Sequence, residues 1–73
     1  MRPYSNNNGN SGVVAFEVGS DFIKMVFRES TEVYVYSYKS AGKKNIDIMK
    51  KLAILGEGLS GFVSRNVSEK FEK

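Results

Sequence analysis

Between residues 13 and 39, apolar and polar positions alternate with the period of two that a half-buried strand requires, in three separate runs. Residues 13–18 set Val14, Phe16 and Val18 against Val13, Ala15 and Glu17. After Gly19-Ser20, where a leading glycine suits a type II′ hairpin turn, residues 22–28 set Ile23, Met25 and Phe27 against Phe22, Lys24, Val26 and Arg28. The third run, residues 32–39, sets Tyr34, Tyr36 and Tyr38 against Val33, Val35 and Ser37. Paired residues across a hairpin have numbers of constant sum, so loop length decides which faces coincide. A Gly19-Ser20 loop places Phe16 opposite Ile23 and Val14 opposite Met25. An even connection within Glu29-Ser-Thr-Glu32 places Phe27 opposite Tyr34, Met25 opposite Tyr36 and Ile23 opposite Tyr38, which takes the tyrosines into the core. An odd connection lays them beside Lys24 and Arg28 as an aromatic and basic platform for stacking RNA bases. The connection has no Gly or Asn to adopt the left-handed conformation of an odd loop, which favours the core.

The period changes after Ser40-Ala41-Gly42. Asn45 suits an N-cap, Asp47 falls in a first turn, and Ile48, Leu52 and Leu55 recur at helical spacing until Gly56, which predicts a helix over 46–55. Ser60 can cap a second helix carrying Leu59, Phe62, Val63, Val67 and Phe71 on one face. The expected fold is α+β: a three-stranded antiparallel meander followed by two helices packed on one face, β-β-β-α-α, within a single domain over 13–73. Residues 1–12 are too polar and glycine-broken to join a core and read as a disordered tail. The uncovered sheet face would show Val26, Val33 and Val35 with basic residues around them, an apolar strip suited to a protein partner or a second copy of the chain.

Composition narrows the chemistry. The 73 residues contain neither Cys nor His, so disulfides, zinc sites and haem ligation lack their donors, and no cofactor or metal is expected. No run approaches the ~20 apolar residues of a membrane span, and no apolar segment follows the N-terminal Arg2, which points to a cytoplasmic protein off the membrane. Nucleophilic and acid–base catalysis would fall to Lys, Ser, Tyr or carboxylates, and no spacing signals such a pair, so an enzyme is not expected. Gly56-Glu-Gly-Leu-Ser-Gly61 spells G-x-G-x-x-G, but it leaves a helix and not a strand, which assigns its glycines to turns and caps. The net charge is +3, and its placement matters more: residues 39–51 hold five lysines against Asp47 alone.

The stretch Phe22-Ile-Lys-Met-Val-Phe27, a short polar turn, Val33-Tyr-Val-Tyr36, a helix, and a Ser-Gly segment running into Arg65-Asn66-Val67 together resemble the KTSC family. Those small domains occur at the C-terminus of some lysyl-tRNA synthetases and alone in bacterial proteins, and are marked by a central Y-x-Y after a strand of the L-x-V-x-F kind. Here Ser37-Tyr38-Lys39 stands where the family commonly moves toward V-P, and Ser60-Gly61 is spaced slightly differently from Val67. The resemblance implies a domain for which RNA binding has been suggested from its synthetase neighbour. The expected ligand is therefore RNA, held through Lys24, Arg28, Lys39, Lys43, Lys44 and Arg65, with Tyr34 or Phe22 stacking. The alternative is a protein-interaction or homodimerisation module using the uncovered sheet face.

Overall fold

The computed structural model describes residues 1–5, 12–28 and 32–72. An antiparallel sheet of four strands runs in the order β1 (Arg2–Pro3), β2 (Val13–Val18), β3 (Phe22–Phe27) and β4 (Val33–Ser37). A single turn, α1 (Tyr38–Ala41), leads into α2 (Lys43–Leu55), and α3 (Leu59–Phe62) continues through a π-helical turn at Val63–Val67. The expected α+β class with an antiparallel sheet is present, with one strand and one helical turn more than β-β-β-α-α contains.

The extra strand corrects the expected tail at its first five residues; residues 6–11 lie outside the described residues. Arg2 pairs with Phe16 and Pro3 with Ala15. Tyr4 follows into the core, packs edge-on against Phe16 at 6.4 Å, and accepts a 3.3 Å hydrogen bond from the Leu59 amide on its hydroxyl. A polar composition hides this because one buried aromatic ring, and not a run, carries the anchoring.

Both central hairpins keep the expected faces but not the expected partners. Phe16 pairs with Met25, and Met25 in turn with Tyr34, while Ile23 pairs with Tyr36. Each register differs from the expectation by an even step, and an even step preserves which side chains face inward. The first hairpin turns at Ser20-Asp21, because the Gly19 amide donates to the Phe22 carbonyl at 2.9 Å. Gly19 has no positive φ to supply; its missing Cβ makes room for the Phe22 ring, which lies directly against it. Between Val13 and Ala15 a bulge breaks the alternation, so Val13 is buried and Val14 exposed, the reverse of the simple pattern. Residues 29–31 of the β3–β4 connection lie outside the described residues, but the pairing of β3 with β4 has even parity.

Tyr38 does not extend β4. Ser37 and Ser40 form a reciprocal cap, each hydroxyl accepting from the other's amide at 3.0 Å, and this turns the chain into α1. The α2 N-cap is Gly42, and Asn45 sits inside the helix with its side-chain amide donating to the Ala41 carbonyl. Gly56 ends α2 at φ 87° and Gly58 opens α3 at φ 80°, left-handed conformations that a side chain would strain. Ser60, expected as the cap, is therefore the second residue of α3.

Ile46, Met49 and Ala53 from α2 and Leu59, Val63 and Val67 beyond it close over Val13, Phe16, Ile23, Met25 and Tyr36 as one core. After the π-turn, Phe71 packs edge-on against Tyr34 and Tyr36, with ring centroids at 4.8 and 6.1 Å. The Glu72 amide donates to the Val35 carbonyl at 2.6 Å and the Ser37 hydroxyl donates to the Glu72 carboxylate. The outer edge of β4 is thereby occupied at Val35, which blunts a template for strand addition.

Tyr4→Phe should cost about 1–3 kcal/mol, the penalty for leaving a buried donor unpaired. Urea unfolding checks it: an unchanged midpoint would show that the Leu59 amide finds another partner.

Candidate functional site

The sequence-predicted basic residues do not converge on one surface. Lys24 lies on the open sheet face, 3.9 Å from the Glu17 carboxylate and 5.4 Å from the Phe22 ring centre. Arg28 follows β3 at one end of the sheet, whereas Lys39 follows Ser37, which pairs with Phe22 at the other end. The six-residue span between Phe22 and Arg28 separates them by roughly 20 Å at the rise of an extended strand. Arg65 stands on the π-turn, its guanidinium against Gly61. Tyr34 and Phe22 occupy opposite faces of the sheet, so they cannot share a stacking platform; Tyr34 is wedged edge-on between Phe27 and Phe71.

What does converge is the lysine run. At 3.6 residues per turn, Lys43, Lys44, Asp47, Lys50 and Lys51 fall within an arc of roughly 120° on α2, centred roughly 130° around the helix from the buried Ile46, Met49 and Ala53. Lys39 on α1 precedes this arc. The Tyr38 ring lies beneath it, with the Lys43 and Lys50 ammonium groups 5.7 and 5.3 Å from its centre. Tyr38 donates to Asp47 at 3.1 Å and Lys43 does so at 2.9 Å, while Lys50 donates to the Ser20 carbonyl. Lys44 and Lys51 point into solvent. Ile54 and Leu55, 60% and 57% exposed, continue the outward side of the helix. Lys39, Lys43 and Lys44 are among the ligands expected from the sequence and Lys50 and Lys51 are not, although the i, i+7 spacing from Lys43 and from Lys44 places them on the same side.

The hydrogen bond from Lys43 is the largest influence holding the Asp47 carboxyl below its ordinary range, and the same bond raises Lys43. A depressed carboxyl stabilises the fold above its unfolded pKa, and the contribution disappears as pH falls through the folded value.

On the open face, cross-strand rows run Ala15–Val26–Val33 and Glu17–Lys24–Val35, with Phe22 beside Ser37. Val33 is 48% exposed and Val26, Val35 and Phe22 half-buried. Among the described residues, no helix packs over this face.

A third feature was not foreseen. A cleft of about 370 Å³ opens on the helical side, between the sheet and the chain's last helical turns, lined by Phe27, Tyr34, Tyr36, Ser60, Val63, Ser64 and Ser68. The three serines recur every four residues and so share one side of the helix. Their spacing was readable; that it faces the β4 tyrosines depends on the tertiary fold.

Among the described residues, no cluster of three or more carboxylates suggests a metal centre, and no helix is long and apolar enough to cross a membrane. Compared with protein-family models, curated proteins and solved structures, the chain matches none.

In an NMR titration, the Asp47 carboxyl should have its midpoint below 3.8, and Lys43→Met should return it toward that value. An unshifted Asp47 in the unmodified protein would remove the ion pair from this account.

Proposed function

We propose that this chain is a non-catalytic binding domain that engages RNA through its phosphates, using the outward lysine face of α1 and α2. The observation that carries this is the gathering of Lys43, Lys44, Lys50 and Lys51 on one side of α2 with Asp47 as the single interrupting acid. Ammonium groups on a helix exterior approach a phosphate backbone without distorting the fold, and each contact releases condensed counterions. The lack of His and Cys removes the commonest catalytic groups and supports a binding role. The KTSC resemblance, with its synthetase company, favours RNA over other polyanions as the first ligand to test. Tyr38 serves as a ledge that holds Lys43 and Lys50, and Tyr34 and Tyr36, on the inner face of the sheet, take no part in this lysine face.

Labelled tRNA and single-stranded RNA titrated at two salt concentrations provide the test. Four phosphate contacts to a single strand predict a log–log salt slope of about −3, and Lys44→Glu with Lys51→Glu should flatten it by about 1.4. Binding that is not saturable, or that ignores both substitutions, would overturn the proposal.

The open sheet face favours a second reading, association with a second copy of the chain. In a two-fold arrangement, Glu17 of one copy can meet Lys24 of the other while the Val26 and Val33 rows pack together. Sedimentation at micromolar concentration should then show a dimer that Val26→Lys dissociates; a monomer throughout that range rejects it.

A further inference from the structure

The helical-side cleft is lined by one nearly buried phenol, that of Tyr36. Tyr36 is 1% exposed, and among the described residues its hydroxyl makes no hydrogen bond. Among the described residues, every fully enclosed side-chain nitrogen or oxygen does have one. The residual exposure of this phenol is thus at its hydroxyl, and the surface that Tyr36 presents is the cleft. A hydroxyl with so little exposure and no partner among the described residues is free to donate to a ligand in the cleft.

The walls limit what can fill the space. Phe27, Tyr34 and Val63 are apolar or aromatic, Ser60, Ser64 and Ser68 can each donate or accept, and no lining residue carries a charge at neutral pH. An anionic or cationic group would find no counter-charge in the lining, and a purely aliphatic ligand would leave the phenol unpaired. A flat ring edged with acceptors and donors meets both requirements. The volume also lies within the usual range of small-molecule pockets.

We infer that this cleft binds a neutral planar heteroaromatic ring of the nucleobase kind, which accepts a hydrogen bond from the Tyr36 hydroxyl while its faces and edges meet Phe27, Tyr34 and Val63. Burial first and the neighbouring Tyr34 second push the Tyr36 phenol up to about 12, so it remains a donor throughout the neutral range. Phe71, edge-on to Tyr34 and Tyr36, braces both rings in place. This goes beyond the lysine-face proposal and does not rest on it, because an uncharged ring has no phosphate for the lysines to hold.

The probes are adenosine, cytidine and uridine, titrated to millimolar concentration while amide resonances are followed by NMR. At least one should give saturable shifts centred on Tyr34, Val63 and Ser64. Tyr36→Phe should keep wild-type stability, since no internal bond is lost, and weaken that nucleoside roughly fivefold to tenfold, the effect of one neutral hydrogen bond. Ser64→Leu, a larger side chain at an exposed position on the cleft wall, should abolish binding without unfolding the protein. Lys44→Glu with Lys51→Glu should leave nucleoside affinity unchanged, which separates this site from the lysine face. A trinucleotide carrying the preferred base distinguishes a base within a strand, which binds more tightly than the nucleoside, from a free metabolite, which does not. The inference is overturned if no nucleoside shifts these resonances saturably, or if Tyr36→Phe binds as well as wild type, leaving the hydroxyl to water.

Discussion

The structure depends on the even parity that aligns Ile23 with Tyr36 and Met25 with Tyr34 across β3 and β4. Because successive side chains alternate between faces, a shift of one residue would carry the aromatic row out of the core and turn Val33 and Val35 inward. Tyr36 and Met25 are enclosed between the sheet and the helical layer, and the cleft beside them exists because large rings on one side meet small serines on the other. Packing of this kind is sensitive to volume, so the register and the helical layer specify each other.

The same parity assigns separate tasks to the surfaces. With the tyrosines inside, the open face retains a mixture of valines, Phe22 and one ion pair, while the basic character is concentrated on the exterior of α2. Ser37 joins the two layers: its cap with Ser40 ends β4, starts α1 and releases Tyr38 to lie under Lys43 and Lys50. Tyr4 performs a comparable service at the opposite end of the chain, tying the N-terminal strand to the amide that opens α3. A small domain without cysteines to form disulfides gains from such long-range ties, since its core buries a modest share of its surface.

Much of this was legible in the residue pattern. The alternation in residues 13–37 fixes strand identity, and the absence of Gly and Asn from the second connection points to the parity found. Helical spacing points to α2 over 46–55, but the helix begins at Lys43 and buries Ile46, Met49 and Ala53 in place of Ile48, Leu52 and Leu55, while the glycines at 56 and 58 mark its end and the next beginning. Three things were not legible, each for a physical reason. A single Tyr4 carries no periodic signal, so its docking cannot be read from a polar segment. The bulge between Val13 and Ala15 exchanges the faces of Val13 and Val14 without changing composition. The dispersal of Lys24, Arg28 and Arg65 away from the α2 lysines follows from strand direction, which a list of charges does not contain.

The most direct test of the central claim is a measurement of what surrounds the Tyr36 ring. Nuclear Overhauser contacts from its ring protons should reach the methyl groups of Val63 on the helical side, placing the tyrosine row beneath the helices. Contacts instead to Lys24 or Val26, whose side chains stand on the far face of the sheet, would contradict the register and every assignment built upon it.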